Sequence, residues 1–231
     1  MAGGSWAPKA TCSHCPLISA LGDGLTLGSL AVARGAPSGQ FGLLLAPGAG
    51  AGSDQAGLVA IDRTASSAGI AVRRMDFPYR LAGRRAPDRP AVLVSAVKSE
   101  AASFVAATNV RPERMFAGGR SMGARICSLA VADGMPCAGL VLVSYPLHPP
   151  GKPDRLRTEH FPKLHLPCLF ISGTRDAFGT PAELEHELVG VAGPVSLHWV
   201  EGGDHGLRGR DEEVADVVKA WLVGRRQHGR W

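Results

Sequence analysis

The chain has 231 residues, 45% of them hydrophobic and 19% charged, with 30 glycines and 17 prolines. That is enough apolar material for one sizeable core, and it excludes a disordered or coiled-coil protein. The 25 Lys and Arg against 20 Asp and Glu leave a net charge of +5, too mild an excess to argue for a nucleic-acid partner, and no basic motif with interleaved aromatics accompanies it.

Residues 1–24 read as a flexible leader rich in Gly and Pro. They lack a basic start followed by a long apolar stretch, so no secretory signal is expected. No run approaches the roughly 20 apolar residues of a membrane helix, and the chain reads as soluble, without a membrane partner. Cys12 and Cys15 form a CxxC around His14. No second ligand pair follows at fixed spacing, so the motif reads as part of a loose tail and no metal is expected. Cys127, Cys137 and Cys168 fall in or beside apolar segments and read as small core residues, which suits the reducing cytoplasm.

Leu25, Leu27, Ala31 and Ala33 alternate as in an edge strand, and residues 35–39 form a turn. Residues 41–46 (FGLLLA) are a short continuous apolar run, the mark of a strand buried on both faces. The run ends in PGAGAG at 47–52, and Ser53 and Asp54 read as caps for a helix over 55–67. A strand at 70–75 leads into a basic loop over 77–90. Val92, Val94, Val97, Ala101, Phe104 and Val105 recur at threes and fours, predicting a helix over 91–107. A short strand at 114–117 stands before a Gly-rich turn and a helix over 122–132. Residues 139–144 and 168–172 read as buried strands. The Pro-rich stretch 145–167 between them reads as a loop too polar to be core. A helix over 181–189 starts with Pro181 at its first position. A strand at 195–200, an amphipathic helix over 211–223 and a basic tail at 226–231 close the chain.

Strands alternating with helices of ten or more residues imply parallel pairing with helices on both faces. The expected fold is α/β, a doubly wound, mostly parallel sheet, in a single domain over 25–225. In such sheets ligands bind beyond the carboxyl ends of the strands. Gly119-Arg120-Ser121-Met122-Gly123 sits there, between the strand ending near Ala117 and the helix from Met122. A serine between spaced glycines can occupy a sharp strand-to-helix turn that lifts its hydroxyl above the sheet.

A serine hydroxyl needs a base, and the base needs a carboxylate. Asp176 follows the 168–172 strand, and His205 follows the 195–200 strand. Asp204 competes as the acid, but it points away if its neighbour His205 points in. His148 is the nearest rival base; it precedes Asp176 and would break the order Ser, Asp, His. His14, His160, His165 and His228 lie in tail or loop contexts, His186 in a helix and His198 in a strand. An oxyanion hole would take the backbone N–H of Met122 and, from the Gly-rich 47–52 loop, that of Ala49. That loop lacks the lysine and the spacing of a phosphate-cradling motif.

The segments LLLAPGAGAGSD, FAGGRSMGAR, SYPLHPPGKP, ISGTRDAFGT and GGDHGL together resemble the α/β-hydrolase superfamily, over about residues 25–225. They are most similar to its small, lidless members related to dienelactone hydrolase. Within these, the chain most resembles the group that holds testis-expressed hydrolase-like proteins and a subunit of the non-specific-lethal chromatin complex. The resemblance implies a minimal cap, Ser121 as nucleophile, His205 as base, Asp176 as acid and the N–H groups of Met122 and Ala49 as oxyanion donors. Two departures stand out. Pro47-Gly48 replaces the His-Gly of many members, and Ser121 stands where dienelactone hydrolases carry cysteine.

The function expected is that of a serine hydrolase acting on a small acyl substrate, an ester or related compound, through an acyl-enzyme and without cofactor. The alternatives are a silent hydrolase-fold scaffold and an acyltransferase on the same residues. The loops 77–90 and 145–167 should shape the rim of an open site. The arginines of the first loop suggest an anionic acyl or leaving group.

Overall fold

The computed structural model describes residues 40–227. The leader, the CxxC, the edge strand expected around residues 25–33, the turn at 35–39 and most of the basic tail lie outside them.

Six strands form one sheet: β1 (Gly42–Ala46), β2 (Ala71–Arg74), β3 (Met115–Arg120), β4 (Gly139–Val143), β5 (Cys168–Gly173) and β6 (Val195–Val200). Their order is β2-β1-β3-β4-β5-β6, and each neighbouring pair is parallel. Connecting them are α1 (Ala56–Ser67), α2 (Pro78–Leu81), α3 (Pro90–Thr108), α4 (Met122–Ala132), α5 (Pro181–Leu188) and α6 (Asp211–Gln227).

The continuous apolar strands are explained by two faces that both need filling. In β1, Leu43 and Leu45 join a core with Leu58 and Ile61 of α1 and Val214, Val218 and Leu222 of α6. Leu44 and Ala46 point the other way, into a core with Leu93, Val97 and Phe104 of α3, Ile126 of α4 and Leu184 of α5. Each fully buried Leu contributes about 2 kcal/mol by removal from water. A polar residue anywhere in β1 would therefore damage one core or the other.

Several boundaries differ from expectation. Helix α1 is capped at Gln55 without a side-chain hydrogen bond. Ser53 caps nothing, because its N–H and hydroxyl both donate to the Asp76 carboxylate, at 2.7 and 2.6 Å. Strand β3 runs through Gly118 and Gly119 to Arg120, so those glycines belong to the strand. The basic loop holds the short helix α2, and α6 extends four residues past Val223. In α3, Val97, Ala101 and Phe104 of the expected stripe are buried, but its first buried residue is Leu93, and Val92 is 48% exposed.

Helix α3 is also long and apolar enough, by length and composition, to cross a membrane, against the expectation that no segment reaches that threshold. Its Leu93, Val97, Ala101 and Phe104 are buried in the core. Lys98 and Glu100, midway along it, pair with Asp133 and Arg73. This is the pattern of a helix packed on a sheet.

The largest departure is the 145–167 connection. Tyr145, Leu147, Phe161 and Leu164 are each no more than 2% exposed, and Tyr145 and Phe161 both pack on Phe170 of β5. Irregular backbone here supplies core, and its apolar residues are spaced too unevenly to show a period. His160, expected in an exposed loop, is buried with them. Cys127 and Cys168 are fully buried, and Cys137 is half-buried at the core margin.

Candidate active site

Strand order reverses between β1 and β3, since the chain leaves β1 toward β2 and returns on the other side. The crevice beyond the carboxyl ends of these two strands is where such sheets bind ligands. The 47–52 loop follows β1, and Ser121 follows β3.

Ser121 stands at the N-cap of α4 with φ 50° and ψ −114°, a conformation costly for a residue with a side chain. Its two flanking glycines permit the turn. A Cβ on Gly119 would lie 2.0 Å from the carbonyl oxygen of Ala46, and one on Gly123 would lie 2.1 Å from the same atom. The elbow is therefore pressed directly against the end of β1, which brings the 47–52 loop alongside Ser121.

Asp176 and His205 arrive from the two strand ends foreseen. Asp176 is 2% exposed, and its Oδ1 also accepts the Phe178 N–H at 2.8 Å. His205 Nδ1 lies 2.9 Å from Asp176 Oδ2 and 3.0 Å from Oδ1. Ser121 Oγ lies 2.8 Å from His205 Nε2. A carboxylate only accepts, so Nδ1 carries the proton and Nε2 is left to accept the Ser121 hydroxyl. Alcohol, imidazole and carboxylate thus form one hydrogen-bonded line, and the rival residues His148 and Asp204 take no part in it. His148 instead approaches Glu183 at 3.5 Å.

The 47–52 loop is tied down from three sides. Gly48 N–H donates to Gln55 Oε1 at 3.0 Å, Gly50 N–H to the Tyr79 hydroxyl at 3.1 Å and Ala51 N–H to the Gly48 carbonyl at 3.2 Å. Among the described residues, the Ala49 N–H in the middle has no partner. Neither does that of Met122, the first residue of α4. Both residues line the same cavity as Ser121 and His205, a space of about 500 Å³. Two backbone donors at the mouth of a helix are suited to a developing negative charge.

Residues that the sequence did not single out hold this arrangement. Arg120 donates to the carbonyls of His205 and Gly206 at 2.7 and 2.5 Å, clamping the histidine loop to the end of β3. Burial holds its guanidinium below the ordinary value, against the raising influence of Asp211, Asp204 and Asp176. The Phe178 ring stacks on His205 with centroids 3.9 Å apart. The available signals were a charge at the end of an otherwise apolar strand and an aromatic two residues after Asp176. The Gln55 contact left no local signal.

Pro87, Asp88, Pro90, Pro146 and Arg157 form part of the cavity wall, so both expected loops shape the rim. The arginines of the first loop do not line it: Arg84 pairs with Asp88 at 2.7 Å, and the arginines of the cavity lining are Arg120, Arg125 and Arg157. Competing nucleophiles are absent from the cavity lining. Cys127, beneath the elbow, donates its thiol to the Gly118 carbonyl at 3.1 Å, and burial pushes its thiol up; burial likewise pushes Cys168 up to about 12. Among the described residues, no group of three or more His, Cys, Asp or Glu could hold a metal ion.

Comparison with known proteins identifies the family and the fold. Residues 39–222 match the family described as alpha/beta hydrolase domain. The fold is similar to that of an alpha-beta serine hydrolase homologue from Coxiella burnetii, at 18% identity over 82% of this chain and 88% of that one, with a TM-score of 0.67. It is also similar to Est1E of Butyrivibrio proteoclasticus solved with ferulic acid bound, at 14% identity over 80% and 88% of the two chains, with a TM-score of 0.68. Dienelactone hydrolase from Anabaena variabilis shares 17% identity over 82% and 88%, with a TM-score of 0.64. With the family model spanning the whole described sheet, the chain belongs to the alpha/beta hydrolase domain family.

Proposed function

We propose that this hydrolase-family chain is a serine hydrolase that cleaves an ester or related acyl bond. The observation that carries the reading is the Ser121–His205–Asp176 line, at 2.8 and 2.9 Å, opening onto a cavity beside two unpartnered backbone N–H groups. Ser121 Oγ attacks the acyl carbonyl as its proton passes to His205 Nε2. Asp176 holds the resulting imidazolium, and the N–H groups of Met122 and Ala49 receive the oxyanion. Collapse of the tetrahedral adduct breaks the acyl–oxygen bond, and the alcohol leaves with the proton from His205. Water then attacks the acyl-serine, again giving its proton to His205, and the carboxylic acid and free Ser121 result.

The cavity is wide enough for a small acyl compound and is not roofed by an inserted domain among the described residues. Within the superfamily we place the chain nearest the lidless branch related to dienelactone hydrolase, in the group with the testis-expressed hydrolase-like proteins, on the strength of FAGGRSMGAR and GGDHGL. Among the described residues the three thiols, Cys127, Cys137 and Cys168, are unpaired, which favours a reducing compartment such as the cytoplasm.

The test is covalent labelling of the full chain by a fluorophosphonate, together with turnover of short-chain p-nitrophenyl esters. Ser121→Ala should abolish labelling and lower kcat by about 10⁴-fold or more. Absence of labelling in the folded wild-type chain, across pH 6 to 9, would instead favour a scaffold. Fluorophosphonate labelling together with a single burst of p-nitrophenol and no further hydrolysis, with turnover restored when an added alcohol or thiol takes the acyl group from Ser121, would point to acyl transfer.

A further inference from the structure

Of the three arginines lining the cavity, one is already engaged. Arg120 donates to two loop carbonyls and has a structural task. The other two have none that accounts for their charge. Arg125 lies one helical turn beyond Ser121, its N–H donating to the Ser121 carbonyl at 3.1 Å, so its side chain leaves α4 on the face that Ser121 caps. Its Nε is buried with no hydrogen-bond partner, and no ion pair involving Arg125 occurs among the described residues.

Arg157 comes from the connection between β4 and β5. Its backbone is fixed on both sides, the N–H donating to the Leu147 carbonyl at 2.9 Å and the carbonyl accepting the Tyr145 hydroxyl at 2.6 Å. Its guanidinium makes only a long contact, 3.4 Å, to the Pro146 carbonyl. Burial holds that guanidinium below its ordinary value, and the neighbouring Arg125 charge adds to the effect. Arginine nevertheless stays protonated in proteins. Two like charges are thus held near each other, partly desolvated, and neither makes an ion pair among the described residues. A buried charged donor without an acceptor is among the costlier features a fold can carry.

The cavity does contain one carboxylate. Asp88 Oδ1 accepts from Arg84, whereas its Oδ2 is buried without a hydrogen-bond partner. Among the described residues it makes no salt bridge to Arg125 or Arg157, and one carboxylate already paired with Arg84 leaves the cavity arginines in excess. The remaining positive charge, on the same wall as Ser121, calls for an anion brought in from outside. Guanidinium forks match a carboxylate, which can accept from both at once.

We propose that Arg125 and Arg157 form a carboxylate subsite beside Ser121, and that the acyl substrate is a half-ester or similar monoanion. The carboxylate is held by the two guanidiniums while the scissile carbonyl faces Ser121. This substrate class rests on the hydrolase reading for its chemistry. The subsite itself does not, and the experiment separates the two.

The full-length Ser121→Ala chain is titrated at low salt with monomethyl glutarate and with dimethyl glutarate, compounds that differ in one charge. A second arm places the charge on the leaving group instead, comparing acetoxyacetate with its methyl ester. The anion should bind at least tenfold tighter than its neutral partner in one of the two arms, and that arm identifies the side of the ester that carries the charge. Arg125→Gln and Arg157→Gln, each in the Ser121→Ala background, should reduce the preference at least fivefold. Arg157→Lys, which keeps the charge but not the fork, should retain part of it and serves if the glutamine variant does not fold. Arg85→Gln, in the loop outside the cavity, should leave the ratio unchanged. Equal affinity for anion and neutral ester in both arms overturns the subsite, as does a preference that survives loss of both guanidiniums. A clear preference in a chain whose wild type neither labels nor hydrolyses upholds the subsite and removes the hydrolase reading alone.

Discussion

Helix α4 carries two serine–histidine pairs. Ser121 Oγ at its N-cap and Ser128 Oγ two turns later each lie 2.8 Å from an imidazole Nε2. The distances are identical and the chemistry is opposite. The Ser128 hydroxyl already donates to the Arg125 carbonyl at 2.8 Å. Having only one proton, it must accept from His160, whose Nε2 therefore carries the hydrogen. At Ser121 the Asp176 carboxylate accepts the hydrogen bond of Nδ1–H, so the proton stays on Nδ1 and Nε2 is left as an acceptor. One histidine faces its serine as a base, the other as a donor. The first pair also opens onto a cavity, whereas Ser128 and His160 are buried. A serine–histidine contact thus gains its meaning from what the far nitrogen touches and from whether a substrate can reach it.

The comparison is broken most severely by removing the group that sets its polarity. Asp176→Asn keeps the shape but offers an amide where Nδ1–H needs an anion, and it favours the tautomer with its proton on Nε2. The expected loss is about 10⁴-fold in kcat for a reactive ester, as found when a buried triad aspartate is made neutral. Steady-state turnover of a p-nitrophenyl ester checks it, and a loss under tenfold would show that His205 does not depend on this carboxylate. A smaller break acts through position alone. Arg120→Gln removes the clamp on the His205 and Gly206 carbonyls. Since it touches no reacting atom, kcat should fall about 10- to 100-fold. The loss should be recovered in part by Arg120→Lys, with the pH profile of kcat widened or displaced as the imidazole becomes mobile. A profile and rate equal to wild type would leave the clamp without a role.

How much of this was readable beforehand depended on whether the signal was local. β1, β4 and β5 declare themselves as unbroken apolar runs because both faces of a parallel sheet are covered. The elbow declares itself because only glycine tolerates the Ala46 carbonyl at the approach of residues 119 and 123. Ser121, Asp176 and His205 follow strand ends, so the topology that places the strands also places them. The 145–167 connection hid its core residues because irregular backbone imposes no period on them. The same holds for the donors of the 47–52 loop. Gln55 and Tyr79, which tie it, come from separate stretches of chain and meet only in the folded protein. Ser53 looked like a cap for the same reason: its hydroxyl was claimed by Asp76, a partner 23 residues away. The arginines of the 77–90 loop suggest a charged rim because charge is visible in sequence and direction is not; none of them lines the cavity.

The buried pair gives the smallest and most specific effect. Burial, with Arg125 adding its charge, lowers His160 from 6.5 to about 4. In the unfolded chain this imidazole takes up its proton below about 6.5, and in the folded chain only below about 4. Between those values the unfolded state binds more protons, so stability declines as pH falls through the interval and levels off beneath it. The contribution is roughly 2 kcal/mol once partial solvent screening is allowed for. Urea unfolding of wild type and His160→Gln at pH 7, 5.5 and 4.5 measures it. The glutamine amide can still donate to Ser128 but does not titrate, so the gap between the two proteins should narrow or reverse toward pH 4.5. The remaining titratable groups are common to both proteins and cancel in the difference. A gap constant with pH would mean that His160 takes its proton in the folded chain as readily as in the unfolded one, and that the second pair is not the sealed donor contact described above.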